Sequence, residues 1–285
     1  MSEDTRRNGV YGGWSRAGKR RVFVRVPLEL KQRAANGNGA GGNGAGHDLE
    51  ATPIVLVHGL SSSRSLKPVL RALGRRPVFA PDLPGFGMSD QPLRPLDVPG
   101  LAGALRSWML DNQVAPAIVV GFSFGSQVAV ELAARYPACV DRLVLVGPAF
   151  DPEARTPARL ALRWARNAPH SSPRLVPAAV HNVVDAGPRR SVRALRRALE
   201  YPIEERLGEI EAPTLVVRPE RDRLVPPGWT ERVAKLIPDA ELVVLPKTAH
   251  TIGARDAVRL SALLAPFLSS TELDEEEEAE ELPAG

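Results

Sequence analysis

The stretch PAIVVGFSFGSQVAVELAARY, residues 116–136, decides the fold of this 285-residue chain. A fully apolar run leads into Gly-Phe-Ser-Phe-Gly at positions 121–125, which fits the pattern G-x-S-x-G, and an amphipathic helical pattern follows directly. A serine on a sharp turn between a strand and a helix is the setting of a nucleophile elbow. Such a turn strains the serine backbone and crowds the positions two before and two after it, where only small residues fit. The stretch therefore predicts Ser123 as a nucleophile, and a serine N-cap between two glycines is the alternative.

Short apolar runs alternate with helical patterns on both sides of this stretch. The strand candidates are residues 53–59, 76–82, 116–122, 142–147, 213–218 and 241–246, and the helix candidates are 64–73, 99–113, 125–136, 228–237 and 253–268. Fully apolar strands separated by helices are typical of a parallel sheet that is covered on both faces. We therefore predict an α/β fold with a doubly wound, mostly parallel sheet. Right-handed crossovers place the C-terminal strand ends, and the loops that leave them, on one edge where ligands bind.

The boundaries of the predicted regions follow from breaks in this alternation. RRVFVRV, residues 20–26, predicts an early antiparallel strand, and the Gly/Asn tract that follows it is too polar and too flexible to order itself. Between Gly147 and Pro213, helical patterns and prolines replace strands, which indicates an insertion over the sheet edge. The predicted organisation is an N-terminal strand region at 1–33, a flexible loop at 34–51, a catalytic core at 52–149 and 207–270, a helical cap at 150–206 and a disordered acidic tail at 271–285.

The distribution of charge bears on binding partners. The formal net charge is +4, but residues 271–285 contain eight acidic residues and no basic one, so the rest of the chain carries +12. A basic body can attract nucleic acid or anionic lipid. No nucleic-acid-binding motif is present, so no nucleic-acid partner is expected, and weak contact with an anionic membrane surface stays open. A solvated, arginine-rich surface is the plainer explanation.

The chain has few signs of export or membrane insertion. Its single cysteine, Cys139, cannot form an intramolecular disulfide. Neither a signal peptide nor an apolar run of the about 20 residues that a membrane-spanning helix needs is apparent. We therefore expect a cytoplasmic protein without a transmembrane segment.

A serine hydroxyl is a weak nucleophile until a neighbouring base takes its proton, so a histidine is needed nearby. Of the five histidines, His47 lies in the Gly/Asn tract, His58 precedes the elbow, and His170 and His181 fall in the predicted cap. His250 alone follows a late strand, in a short loop before the final helical pattern. This position predicts His250 as the base, and an ordinary loop histidine is the alternative.

The base in turn needs a carboxylate that accepts its other N–H group. Asp222 follows the strand candidate at 213–218, and the chain order Ser, Asp, His is the order expected with a nucleophile elbow. Glu220 comes two residues too early. Asp151, after the strand candidate at 142–147, is the rival, because a loop there could also reach the histidine. We predict Asp222 as the acid and keep Asp151 as the alternative.

Five motifs carry a resemblance to a known family. They are HG at 58–59, DLPGFGMSD at 82–90, GFSFG at 121–125, DRLVP at 222–226 and AH at 249–250. In this order, across residues 53–268, they resemble the cap-bearing branch of the α/β-hydrolase superfamily. The resemblance implies that the backbone N–H groups of Leu60 and Phe124 form an oxyanion hole, where each donor can be worth about 10²–10³ in rate. It also implies that His58 orients its loop and that Asp82 bonds locally within a structural turn.

The resemblance also narrows the range of reactions that are expected of this chain. Haloalkane dehalogenases and epoxide hydrolases of this superfamily use an aspartate nucleophile, and this chain has Ser123 in that position, so neither chemistry is expected. Carbon–carbon bond hydrolases share GFSFG but usually carry Gly-Pro-Gly after His-Gly and tryptophan after the base, where this chain has residues 60–62, Leu-Ser-Ser, and Thr251. We expect a serine hydrolase that cleaves a carboxylic ester, thioester or lactone through an acyl-enzyme. Acyl transfer to an alcohol or peroxide, carbon–carbon bond hydrolysis and a ligand-sensing binding protein are the alternatives.

The expected partner is a small acyl substrate of apolar character. No cofactor or metal ion is expected, because the sequence has no P-loop, paired-histidine metal motif or G-x-G-x-x-G. Apolar residues of the predicted cap are candidates for lining the pocket, with packing inside the cap as the alternative for each. They are Trp164, Leu175, Val176, Val180 and Val184.

Overall fold

The structure, a computed structural model, describes residues 9–35, 51–74, 76–167 and 188–280. The strands in this part of the chain are β1 Val10–Ala17, β2 Arg20–Pro27, β3 Ile54–Val57, β4 Val78–Pro81, β5 Ala117–Phe122, β6 Val140–Val146, β7 Thr214–Pro219 and β8 Ala240–Leu245. The α-helices are α1 Leu28–Ala35, α2 Lys67–Ala72, α3 Val98–Asp111, α4 Phe124–Arg135, α5 Pro157–Asn167, α6 Pro188–Glu200, α7 Pro227–Leu236 and α8 Ala254–Glu280. A 3₁₀ helix at Ser63–Leu66 precedes α2.

All eight strands form one sheet in the order β1-β2-β4-β3-β5-β6-β7-β8. β2 pairs antiparallel with β1 and β4, and the strands from β4 to β8 pair in parallel. The predicted mostly parallel, doubly wound sheet is therefore confirmed, and so is the antiparallel strand predicted at 20–26. Because the six parallel strands point the same way, the loops after β3, β5, β6, β7 and β8 leave the same edge of the sheet.

Both faces of the sheet are buried under helices. In β3, Ile54 and Leu56 belong to a hydrophobic cluster with α2 and α8, whereas Val55 and Val57 belong to a second cluster with α3 and α4. All four side chains have 0% exposure. Successive side chains of a strand point to opposite faces, so a strand that is covered on both sides needs an unbroken apolar run. This explains the apolar runs in the sequence.

Strand β1 is absent from the prediction. Its sequence, VYGGWSRA, has two adjacent glycines and no clear alternation of apolar and polar residues. The strand pairs with β2 along its whole length, from Val10 opposite Pro27 to Ala17 opposite Arg20. Its extended conformation therefore depends on a tertiary partner more than on local propensity.

The last helix is longer than the predicted one at 253–268. Helix α8 continues to Glu280, through ten residues of the segment for which we expected a disordered acidic tail. Glutamate and alanine are good helix formers, so a helix can extend beyond the residues that pack on the sheet. Residues 281–285 lie outside the described residues, as do residues 36–50 of the predicted flexible loop.

The predicted cap is described in two parts, 150–167 and 188–206. These residues form helices α5 and α6 and short 3₁₀ helices, and this part of the insertion contains no strand. Leu160 of α5 and Ala198 and Leu199 of α6 are buried in the cluster that includes α4. The division of the chain into core and cap stays a prediction.

Candidate active site

Ser123 lies between the end of β5 and the start of α4 in a strained backbone conformation. Its φ of 54° and ψ of −116° place a residue that carries a side chain in the left-handed half of the Ramachandran plot. Its N–H donates to Val146 O at 3.0 Å, and its carbonyl oxygen accepts from Ser126 N at 3.0 Å. The surrounding sheet and helix therefore hold the strained residue in place.

The two glycines of the G-x-S-x-G pattern are required by close contacts. A Cβ on Gly121 would lie 2.7 Å from Ser126 Cα and 2.9 Å from the Cβ of Ala129. A Cβ on Gly125 would lie 2.2 Å from the carbonyl oxygen of Val57. Helix α4 thus packs directly against the ends of β3 and β5, as expected for a tight elbow.

Three of the predicted residues lie within hydrogen-bond distance of one another. His250 Nε2 lies 2.9 Å from Ser123 Oγ, and His250 Nδ1 lies 2.6 Å from Asp222 Oδ2. The Asp222 side chain has 0% exposure and the His250 side chain 8%. They come from the loops after β5, β7 and β8, which the parallel sheet brings to one edge. Such an arrangement allows the imidazole to take a proton from the hydroxyl while the carboxylate stabilises the resulting imidazolium.

Asp222 is held by its own loop. Its Oδ1 accepts hydrogen bonds from the backbone N–H groups of Leu224 at 2.8 Å and Val225 at 3.0 Å. This leaves Oδ2 directed at His250. The rival carboxylate, Asp151, instead forms an ion pair with Arg163 of α5 and accepts from Glu153 N at 2.9 Å.

Leu60 and Phe124, the two residues predicted to form the oxyanion hole, both belong to segments next to Ser123. Phe124 is the first residue of α4, where a backbone N–H has no partner within the helix. The loop that carries Leu60 runs beside the elbow, since a Cβ on Gly59 would lie 3.6 Å from Ser123 Cβ. Within the described part of the chain, neither N–H donates a hydrogen bond. The oxyanion hole formed by these two N–H groups stays a prediction.

His58, the other histidine near the elbow, has a different environment. Its Nε2 accepts from Leu83 N at 3.0 Å, so Nδ1 carries the proton and donates to Gly59 O at 2.7 Å. Complete burial lowers the pKa of His58 below its ordinary value. The ring is therefore a neutral link between two loops, consistent with the orienting role that the resemblance implies.

Gly147 belongs to this site but was not singled out from the sequence. It follows β6 with a φ of +54°, and a Cβ there would lie 3.2 Å from Asp222 Oδ2 and 3.5 Å from His250 Nδ1. A larger residue would crowd the contact between these two side chains. The available signal was a glycine placed directly after a predicted strand, between the strands that lead to Ser123 and Asp222.

The described part of the predicted cap contacts the site through Trp164 and Asn167. The ring of Trp164 packs edge-to-face with His250 at 6.3 Å between centroids, and half of its surface is exposed. Asn167 Oδ1 accepts from Arg223 N at 3.2 Å, next to the acid. Helix α5 therefore borders the histidine. The other candidates for lining the pocket, Leu175, Val176, Val180 and Val184, lie outside the described residues.

Two properties of the described residues bear on metal binding and on membranes. Their His, Cys, Asp and Glu side chains form no group of three or more that could hold a metal ion. None of their helices has both the length and the apolar composition needed to cross a membrane.

A doubly wound sheet with a strained serine between a strand and a helix defines a class of enzymes with a nucleophile elbow. The chain belongs to the α/β hydrolase family, whose model matches residues 54–262.

Relatives with known names support this assignment. A haloalkane dehalogenase of Mycobacterium marinum is 34% identical over 227 residues, which cover 67% of this chain and 75% of that protein. A pimeloyl-[acyl-carrier protein] methyl ester esterase of Neisseria meningitidis is 28% identical over 256 residues, covering 75% of this chain and 92% of the relative. A thermophilic esterase from Thermogutta terrifontis has the same fold, with a TM-score of 0.66 at 23% identity over 78% of this chain and 91% of that one. The chain is thus an enzyme of the α/β hydrolase type.

Proposed function

We propose that this chain hydrolyses carboxylic esters, or related acyl compounds such as thioesters and lactones, through an acyl-enzyme on Ser123. The observation that carries the proposal is the continuous hydrogen-bonded path from Asp222 through His250 to Ser123, with distances of 2.6 and 2.9 Å. The esterase activity in the name of the Neisseria relative agrees with it.

In the first half of the reaction, Ser123 Oγ attacks the acyl carbon of the substrate. His250 Nε2 takes the hydroxyl proton, and the carbonyl oxygen becomes an oxyanion. The N–H groups of Leu60 and Phe124 bind that oxyanion. The intermediate collapses when the bond to the leaving group breaks, and the leaving oxygen or sulfur takes the proton from His250.

In the second half, water takes the place of the alcohol or thiol. His250 removes a proton from the water as it attacks the acyl carbon, and the proton returns to Ser123 Oγ when the acid leaves. Asp222 stays ionised throughout and holds the imidazole with Nδ1 protonated. No electron transfer or further group is needed for this cycle.

The similarity to a haloalkane dehalogenase does not support dehalogenation as the reaction of this chain. The superfamily members with that chemistry use an aspartate to displace the halide, and a serine hydroxyl with a neighbouring histidine is suited to acyl transfer. The Ser–His contact therefore supports an esterase-like reaction over alkyl halide displacement.

The proposal is tested by turnover and labelling of the purified chain. We expect hydrolysis of p-nitrophenyl esters in a panel of acyl chain lengths and of lactones, and stoichiometric labelling of Ser123 by a fluorophosphonate. Ser123→Ala removes the only atom that can form the acyl-enzyme, so kcat should fall by about 10⁶ and labelling should be lost. His250→Ala should be nearly as damaging, and the double variant little worse than either single one.

Ser107→Ala is a matched control, because Ser107 lies on α3 and its hydroxyl bonds to Gly103 O at 3.0 Å. It should keep both turnover and labelling. A folded wild-type chain that binds these compounds without turnover, or turnover that persists in Ser123→Ala, would contradict the proposal, and the first result would point to a ligand-sensing protein.

A further inference from the structure

The loop that carries the Leu60 N–H is short and is held at both ends by another segment of the chain. It joins the end of β3 to the 3₁₀ helix that begins at Ser63. At its first end, the His58 ring accepts from Leu83 N at 3.0 Å. At its second end, Asp82 Oδ1 accepts from Ser63 N at 2.7 Å and from Ser63 Oγ at 2.6 Å. Both holding groups belong to the segment that leaves β4.

The Asp82 side chain makes more ionic and hydrogen-bonding interactions than its own turn needs. Its side chain has 0% exposure and lies 3.1 Å from Arg25 Nη1 of β2, which is itself 9% exposed. Arg25 also donates to the hydroxyl of Ser63, and Asp82 Oδ2 accepts from Met88 N at 2.9 Å. A Cβ on Gly87 would lie 2.2 Å from Asp82 Oδ2, so the loop closes tightly around the carboxylate.

A buried ion pair of this kind gives little net stability, because desolvation offsets the attraction between the charges. It does fix geometry, since each oxygen of the carboxylate has a defined donor. What it fixes here is the position of Ser63, three residues beyond Leu60. An oxyanion donor acts only when it lies 2.7–3.1 Å from the position that the oxyanion takes.

We propose that Asp82 is a positioning residue for the oxyanion hole, because it ties Ser63 and hence the Leu60 N–H to the sheet beside Ser123. This inference rests on the proposed function and assigns Asp82 a role beyond its own turn. Asp82 touches no reacting atom, so its loss weakens binding of the transition state while leaving substrate binding in place.

The test compares Asp82→Asn with Asp90→Asn. Asp90 is a matched control, because it belongs to the same loop and also bonds to β2, at Arg21 N (2.8 Å) and Arg21 Nε (3.2 Å), but makes no contact with Ser63. For a p-nitrophenyl ester, Asp82→Asn should lower kcat by about 10–10²-fold with KM within about twofold. The inhibition constant of a trifluoromethyl ketone, whose adduct places an oxyanion in the hole, should rise by the same factor as kcat/KM falls. Asp90→Asn should leave all three within about twofold.

A milder variant covers the case in which Asp82→Asn does not fold. Ser63→Ala removes the hydroxyl bonds to Asp82 and Arg25 and keeps the Ser63 N–H bond, so kcat should fall by about three- to tenfold with a parallel rise in the inhibition constant. Folded variants with unchanged kcat, or with inhibitor binding that does not follow kcat/KM, would overturn the positioning role alone. A wild-type chain without turnover or Ser123 labelling would instead overturn the proposed function and this role with it.

Discussion

The loops after β6 and β7 place two aspartates at the same edge of the sheet, yet the two side chains have different partners. Counted over the whole residue, Asp151 after β6 has 4% of its surface exposed and Asp222 after β7 has 5%, so burial does not distinguish them. Asp151 forms an ion pair with Arg163 of helix α5. Asp222 accepts two N–H groups from its own loop and directs its second oxygen at His250.

A position at the end of a strand therefore makes a carboxylate available to the site but does not decide its role. Arg163 of α5 forms an ion pair with Asp151 and binds both of its carboxylate oxygens. The N–H groups of residues 224 and 225 bind one oxygen of Asp222, and the other oxygen lies within hydrogen-bond distance of the imidazole. The groups that bind each carboxylate, and not its place at a strand end, therefore distinguish the structural aspartate from the candidate catalytic one.

The largest effect on turnover is expected from Asp222→Asn. The amide keeps the shape of the side chain but offers an N–H to His250 Nδ1, which favours the wrong imidazole tautomer. We expect kcat for a p-nitrophenyl ester to fall by about 10⁴ with the fold retained, as measured by steady-state kinetics and circular dichroism.

Asp151→Asn is the paired control for this change. It removes the charge that faces Arg163 and should destabilise the packing of α5, while turnover stays within about threefold at a temperature where the variant is folded. If Asp151→Asn cost more activity than Asp222→Asn, the acid would belong to the loop after β6. Asp222 would then be the structural aspartate.

A smaller effect is expected from Gly147→Ala, because this glycine of the loop after β6 lies next to the Asp222–His250 pair. The new Cβ would lie 3.2 Å from Asp222 Oδ2, and the residue has a φ of +54° that costs a non-glycine residue about 1–2 kcal/mol. We expect kcat to fall by about 10–10²-fold through displacement of the carboxylate, as measured by ester hydrolysis.

Gly18→Ala separates backbone strain from this contact. Gly18 has a φ of +57° and open space around its Cβ position, so the alanine there is strained but touches nothing. Both variants should lose comparable thermal stability, and only Gly147→Ala should lose turnover. Equal activity in the two variants would show that the β6 loop does not control the Asp222–His250 contact.

Much of the fold and part of the site could be predicted because their signals are local. The six parallel strands appear in the sequence as short apolar runs, because each strand is covered on both faces of the sheet. Ser123 follows from a strand, a glycine-flanked turn and a helix in direct succession. His250 follows from its place in a loop between a late strand and the last helix.

What could not be predicted depends on partners that are distant in sequence. Strand β1 is extended because it pairs with β2, and its own residues give little sign of it. The contact that separates Asp151 from Asp222 involves Arg163, on a helix of the insertion whose packing no local pattern describes. The requirement for glycine at 147 arises only when Asp222 and His250 arrive beside it from two later loops.

The two histidines at this edge of the sheet also differ in their partners. His58 uses both ring nitrogens for backbone groups, at Leu83 N and Gly59 O, and is fully buried. His250 uses both for side chains, at Ser123 and Asp222. The partners of each ring therefore again distinguish a structural residue from a candidate catalytic one, and the titration of the structural histidine should be visible in the stability of the fold.

The smallest predicted effect is the pH dependence of stability that His58 contributes. Burial lowers its pKa in the folded chain below the value of 6.5 that applies when it is unfolded, so the unfolded state binds more protons as the pH falls through this range. The free energy of unfolding should therefore decrease below about pH 6.5, by at most about 1.4 kcal/mol per pH unit from this one group. His58→Gln can still accept from Leu83 N but does not titrate, so its loss of stability between pH 7 and pH 5, measured by urea denaturation, should be smaller than that of the wild type. Parallel curves for the two proteins would mean that His58 gains its proton as easily in the folded chain as in the unfolded one, and the lowering of its pKa by burial would be contradicted.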